Sequence, residues 1–320
     1  MATKASAVAK PATTIPHFVE LIPSNLKVDF VRMMGPMLMF SWTIILIGLV
    51  SIYLRGGLNY GIDFAGGTLV HVKFPQATAV ADLRAALEGP GVRELIVQDV
   101  GGAGQEFQIR LLAAEGENET TTAANAKAGL QAKFGEGSFE VLRVETVGPK
   151  VGKDLWRDAT LAVLASTLLM GIYIWFRFDL RFGIGAAVAL LHDVLITVAL
   201  LSLFNMEFDL TTVSALLTVV GYSVHDTVII SDRIRENLTK MRKETLVTIV
   251  NRSINETLSR TIITSGTAIL VTMSLFFLGG PVIHSFAFAL LVGFTVGTYS
   301  SIYVAAPIVI WLEGKVGRTA

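Results

Sequence analysis

The sequence predicts a polytopic α-helical membrane protein that carries one α+β domain outside the bilayer, and three observations lead there. The 320 residues are 52% hydrophobic and only 16% charged, against roughly 25% charged in soluble domains, and the mean hydropathy is +0.60. The apolar residues gather in six runs, each close to the roughly 20 residues that a helix needs to cross a hydrocarbon core. Between the first two runs lies a stretch of ordinary soluble composition whose pattern reads β-α-β-β-α-β, the order of a ferredoxin-like domain.

Taken in order, residues 1–35 form an N-terminal tail and 36–54 the first span. That span exceeds the 7–15 residues of a signal-peptide core and is followed by Tyr53-Leu54-Arg55-Gly56 rather than a small-residue cleavage site, so it reads as an uncleaved anchor. Residues 55–157 make the outer domain, hung on connections at 55–61 and 148–157. Alternation of apolar residues predicts strands at 68–74, 94–100, 106–112 and 139–147, and helical spacing predicts helices at 80–87 and 121–134. Residues 101–105 and 115–119 are its turns. Five further spans follow at 159–176, 182–204, 210–231, 261–280 and 282–312, the last broken near Pro307, with a loop at 232–260 and a tail at 313–320.

Orientation follows from Lys and Arg, which concentrate on cytoplasmic connections. Lys4, Lys10, Lys27 and Arg32 precede the first span, and Arg177 and Arg181 sit in the second turn. Arg233, Arg235, Lys240, Arg242, Lys243, Arg252 and Arg260 fill the 232–260 loop, and Lys315 and Arg318 follow the last span. Both termini are therefore expected in the cytoplasm and residues 55–157 outside it. Twenty-six basic and 26 acidic residues cancel, which leaves no global field for nucleic acid. The absence of cysteine from the sequence excludes disulfides, zinc ribbons and thiol catalysis.

Phosphate-cradling and zinc-helix motifs are missing from the sequence, so neither a cofactor nor an enzymatic reaction is expected. Gly221-Tyr222-Ser223-Val224-His225-Asp226 contains the residue types of a catalytic triad. A nucleophile elbow, however, needs glycine where His225 stands, and neighbours on one helix point in different directions. Ionisable residues inside apolar spans are expensive, which makes His192-Asp193 and His225-Asp226 the candidate sites. Helical spacing back from Asp226 gives a polar stripe of Tyr222, Thr218, Ala215 and Thr211, and the fifth span answers with Thr261, Ser265, Ala268 and Thr272, with Thr264 beside them. Hydroxyls beside an acid suit a proton route between helices; they also suit helix packing alone. Gly293 and Gly297 have the spacing of a close helix contact.

Gly61-Ile62-Asp63-Phe64-Ala65-Gly66-Gly67-Thr68, Leu191-His192-Asp193-Val194, the segment from Gly221 to Val228 running into Asp232-Arg233-Ile234-Arg235-Glu236-Asn237, and Gly297-Thr298-Tyr299-Ser300-Ser301 resemble the SecD/SecF family of protein-export membrane subunits. The resemblance implies six helices forming half of a resistance-nodulation-division type bundle. It also implies a bacterial inner-membrane location and a heterodimer with a SecD-like six-helix subunit. The pair would act beside the SecYEG channel on a translocating preprotein, driven by a proton or sodium gradient, with membrane lipid around it. Carried over by residue, Asp226 resembles the family's membrane carboxylate and Arg260 its basic partner, with Asp193 nearby in the expected pathway. The family pattern usually has Asn before the acid; His225 stands there instead and can itself titrate near neutrality. Two other readings stay open: a passive scaffold whose outer domain docks partners, and half of a small-hydrophobe exporter.

Overall fold

The computed structural model describes residues 27–88, 92–100, 102–113 and 119–316. Lys4, Lys10 and Arg318 of the orientation argument, and residues 101 and 115–118 of the expected turns, lie outside the described residues.

Helix α1 (Phe30–Leu54) starts ahead of the apolar run because its first turn is capped: Asp29 accepts from the Arg32 amide at 3.1 Å, which satisfies an otherwise orphaned donor. Asn251 and Asn255, distant in sequence, accept from the Phe30 and Val28 amides at 2.8 and 2.9 Å. A one-turn helix α2 (Ile62–Ala65) then leads into strand β1 (Gly67–Lys73). Gly66 and Gly67 have φ of +78° and +109°, and a Cβ on Gly67 would meet the Leu111 carbonyl at 2.7 Å, so the double glycine is a backbone requirement here.

Helix α3 (Val80–Leu87), strands β2 (Val92–Asp99) and β3 (Glu106–Ala113), helix α4 (Glu119–Phe134) and strand β4 (Glu140–Val147) complete the four-stranded domain. The antiparallel sheet has the order β2-β3-β1-β4, the ferredoxin-like arrangement of two interleaved β-α-β units. Alternate residues Val70, Val72, Phe107, Ile109 and Leu111 turn to one face and are buried with Leu83 and Leu87 of α3 and Leu130 of α4. The other face of the sheet looks toward the membrane helices.

Helix α5 (Pro149–Arg177) begins with Pro149 in its first turn, where proline's fixed φ favours a helix start. Residues 149–157, expected as a connection, are instead the first turns of that helix, so the domain passes into the second span without a linker. Helices α6 (Leu180–Leu203), α7 (Leu210–Lys240), α8 (Leu246–Leu278) and α9 (His284–Ser300) follow. A π-helical turn at Ser301–Ala305 then leads into α10 (Ala306–Val316). The irregular turn lies just before Pro307, whose missing N–H cannot close an α-turn.

The 232–260 segment, expected as a loop, is helical except for residues 241–245. Charges at helical spacing account for this: Arg233 pairs with Glu236 at 2.5 Å, Lys240 with Glu236 at 2.5 Å and Arg252 with Glu256 at 2.9 Å, each supporting an exposed helix. Arg233 also reaches Glu256 at 2.6 Å, tying α7 to α8.

Among the described residues, six helices are long and apolar enough to cross a membrane. Of these, α6, α7 and the α9–α10 unit are the most enclosed, while α1, α5 and α8 present more apolar surface outward. The four-stranded domain is seated on the α6–α7 turn. Tyr60 and Phe208 form a parallel β-bridge, and Tyr60, Phe64, Trp156 and Phe208 pack ring against ring at 5.2 to 6.4 Å. Arg110 of β3, 7% exposed, donates to the Tyr60 carbonyl at 2.8 Å and to Asn59 Oδ1 at 3.2 Å, and stands 3.7 Å from Glu207.

Candidate functional site

Two buried carboxylates lie where α6, α7, α8 and α9 meet. Asp193, 0% exposed, accepts from Ser223 Oγ of α7 at 2.6 Å and Ser300 Oγ of α9 at 2.8 Å, and bonds His192 Nδ1 at 3.0 Å. One carboxylate thus joins three helices. Asp226, 1% exposed, accepts from Ser265 Oγ of α8 at 3.1 Å and Thr298 Oγ1 of α9 at 3.2 Å, and those two hydroxyls are 2.6 Å apart. Ser223 and Asp226 are neighbours on α7, as are Thr298 and Ser300 on α9, so both clusters rest on the α7–α9 contact.

That contact is tight because of glycine. A Cβ on Gly293 would stand 2.0 Å from Val219 Cγ2, and one on Gly297 would stand 3.0 Å from Ser223 Cβ; only side chains without a Cβ permit the approach. Tyr299 anchors the other side of α9: its hydroxyl donates to the Met37 carbonyl at 2.5 Å and bonds Ser41 at 2.9 Å, and its ring stacks against His192 at 6.2 Å.

The expected site residues fall into separate groups. Asp226 and Asp193 occupy the two clusters just described. His225 is exposed on the outer side of α7. Arg260 is not bonded to Asp226; it lines a cavity of about 570 Å³ with Arg177, Asp232, Glu256 and Thr257, at the end of the bundle opposite the four-stranded domain. Tyr222 packs on Phe294 at 4.3 Å. Of the expected polar stripe, Ser265 reaches the acid, whereas Thr211 donates to Asp209 at 2.8 Å, Thr218 to the Ser214 carbonyl at 2.8 Å, and Thr264 to the Arg260 carbonyl at 3.0 Å. Four residues overshoot one helical turn by about 40°, so the two steps of four from Asp226 to Thr218 turn about 80° toward the exposed face of α7.

The groups that do hold the acids, Ser223, Thr298 and Ser300, were not assigned to either acid from sequence, although Ser265 stood in the fifth-span stripe. Their signal was present as polar residues within apolar spans; which acid each one meets depends on helix packing. Among the described residues no group of three or more His, Asp or Glu could hold a metal ion. Among the described residues, Asp226 is surrounded by hydroxyls and apolar groups, with no cation in ion-pair contact. Such a site can exchange a proton, with the surrounding helices adjusting to the presence or absence of charge.

The family model "Protein export membrane protein SecD/SecF, C-terminal" matches residues 127–315, and the "SecD/SecF GG Motif" model matches 56–77. The chain is 43% identical to Protein translocase subunit SecF of Gemmatimonas aurantiaca, covering 91% of this chain and 89% of that one. It is 42% identical to the protein of the same name from Desulfurispirillum indicum, over 89% and 91%. The crystal structure of SecDF, a translocon-associated membrane protein, from Thermus thermophilus superposes with a TM-score of 0.79 at 38% identity, covering 91% of this chain and 39% of that one. A super-membrane-facing form of SecDF gives a TM-score of 0.65, also at 38% identity, over 92% and 40%. The chain therefore spans about two fifths of the length of the SecDF chains that it matches.

Proposed function

The chain belongs to the SecF branch of the SecD/SecF protein-export family, a multi-pass bacterial inner-membrane subunit accessory to Sec protein translocation, and from that premise we propose that Asp226 couples this role to an ion gradient. The observation that carries the reading is the carboxylate buried between α7, α8 and α9 and held, among the described residues, by the hydroxyls of Ser265 and Thr298. A charge there is costly in hydrocarbon, so loading and unloading a proton shifts the balance between helix packings. One charge crossing the membrane provides about 2.3 kcal/mol per 100 mV, enough for a few protons to drive a domain-scale change. Asp193, pinned by three donors, keeps α6, α7 and α9 in register beside the carrier, and Arg260 stands at the mouth of the opposite cavity.

The partner in this reading is a SecD-like six-helix subunit. Thr211, Ser214, Thr218, Gly221, His225 and Asp232 form a polar and small-residue stripe on the exposed side of α7, which suits a second protein better than lipid. The pair assists the SecYEG channel, with the four-stranded domain on the side where the preprotein emerges and both termini in the cytoplasm. Asp226→Asn is expected to leave insertion and partner binding intact and to abolish gradient-stimulated translocation in inside-out membrane vesicles. Translocation at the wild-type rate in that variant would replace the carrier reading by a passive scaffold.

A further inference from the structure

On helix α8, Thr257, Thr261 and Ser265 are spaced four residues apart, all three are buried, and they rise about 6 Å per step while turning about 40° around the helix. The ends of this ladder are fixed: Thr257 lines the cavity opposite the four-stranded domain, and Ser265 donates to Asp226 at 3.1 Å. The middle rung differs from its neighbours. Thr257, Thr264, Thr267 and Thr272 all donate to carbonyls of their own helix, at 3.0, 3.0, 2.8 and 3.0 Å, the ordinary fate of a hydroxyl in a helix. Thr261 is 1% exposed and, among the described residues, its Oγ1 has no hydrogen-bond partner.

A buried hydroxyl without a protein partner costs about 1–3 kcal/mol unless water satisfies it. The position of Thr261 between a polar cavity and a hydroxyl-bonded carboxylate identifies where that water comes from. We propose that Thr261 is the middle member of a hydroxyl and water relay that carries protons between Asp226 and the cavity. The proposal rests on Asp226 being the proton carrier and adds the route by which it communicates with the membrane face opposite the four-stranded domain.

The relay balances at every step. Asp226 gives its proton to Ser265 Oγ, which releases its own hydroxyl proton to the water below. That water passes one on to Thr261 Oγ1, and Thr261 releases one toward the water of the cavity. Each oxygen forms one O–H bond and breaks one, so the relay groups end neutral, Asp226 ends as a carboxylate and one proton has left to the cavity. Asp232, among the residues lining that cavity, is an acceptor at its mouth. In this relay Thr261 takes up one proton and releases another, and its hydroxyl holds the water between Ser265 and the cavity in line.

The test uses the full chain in complex with its partner subunit, in inside-out vesicles. Thr261→Val keeps the shape and removes the hydroxyl; proton flux is expected to fall at least about tenfold, with Thr261→Ser restoring it. Asp226→Asn runs in parallel. If Asp226→Asn abolishes flux while Thr261→Val keeps the wild-type rate, the relay is wrong and the carrier stands; if Asp226→Asn keeps its flux, the carrier reading itself fails. An independent measurement uses the cysteine-free sequence. Thr261→Cys is expected to react with a small charged thiosulfonate reagent, as Thr257→Cys at the cavity wall does. A Thr261→Cys thiol that stays unlabelled while Thr257→Cys reacts overturns the water-linked route.

Discussion

At the residue scale, the two buried aspartates differ in what surrounds them and so in what their removal does. Asp193 satisfies Ser223, Ser300 and His192, so Asp193→Ala strands Ser223 and His192 and leaves Ser300 with the Gly297 carbonyl of its own helix. The expected cost is about 3 kcal/mol or more, read as a lower unfolding midpoint in detergent, with Asp193→Asn recovering part of it. Asp226→Asn keeps an acceptor for its two hydroxyls, and its effect is expected in translocation with little change in unfolding. Equal losses of stability in Asp193→Ala and Asp226→Ala would dissolve this division of roles. His225 projects to the exposed side of α7, and its imidazole makes no hydrogen bond with the neighbouring acid among the described residues. His225→Asn is therefore expected to leave the pH profile of translocation in place, whereas a displacement of that profile by about a unit would show that the imidazole shares the proton.

At the element scale, the α7–α9 contact controls both clusters. Gly293→Ala places a Cβ against Val219, and such overpacking costs about 1–3 kcal/mol. It also pushes α9 outward, taking Thr298 from Asp226 and Ser300 from Asp193. The expected result is a joint loss of stability and translocation. Gly221→Ala is the internal control, since a Cβ there meets nothing within 4 Å. In the isolated chain it is expected to be neutral or stabilising by about 0.5–1 kcal/mol, because alanine is the better helix former. Unfolding of the two variants in detergent distinguishes a packed glycine from an incidental one; equal midpoints would remove the packing argument.

At the scale of the whole molecule, the four-stranded domain is held to the membrane helices by Arg110 and Glu207. Burial pushes the Glu207 carboxyl above its ordinary range, Asp209, Asp63 and Glu145 push the same way, and Arg110 opposes them. A raised value in the docked state means that docking binds a proton, so the Glu207 contribution is fully present below the ordinary carboxylate range and is lost as pH rises through the raised value. Docking is accordingly expected to tighten as pH falls through that window, and Glu207→Gln to remove this part of the pH dependence. Arg110→Ala is expected to loosen the seat by about 2–3 kcal/mol, because it withdraws donors from Tyr60 and Asn59 and leaves a mostly buried carboxylate without its cation. Hydrogen exchange at β3 and at residues 204–209 reads both variants; unchanged protection in Arg110→Ala would show that the aromatic cluster alone holds the domain.

The sequence by itself determined the six spans, the β-α-β-β-α-β order and the two acids inside apolar helices, because each is written in local composition or in a short period. The 3.6- and 2-residue repeats survive without knowledge of any neighbour, and the double glycine at Gly66-Gly67 marks a turn that only such residues make. The helical extensions at 149–157 and 232–260 were less legible, since polar residues beyond the apolar core look alike in loops and in exposed helices until their ion pairs are seen. Only the tertiary structure decided which hydroxyl meets which acid. Ser265 and Thr298 reach Asp226, and Ser223 and Ser300 reach Asp193, from helices separated by long stretches of chain. Thr211 and Thr218, nearer in sequence to Asp226, wind away from it as the helix turns. Arg260 likewise faces the cavity and not the carboxylate, and Arg110 finds Glu207 only because the sheet settles on the α6–α7 turn. These pairings are set by the azimuth and depth of packed helices, which no single segment encodes.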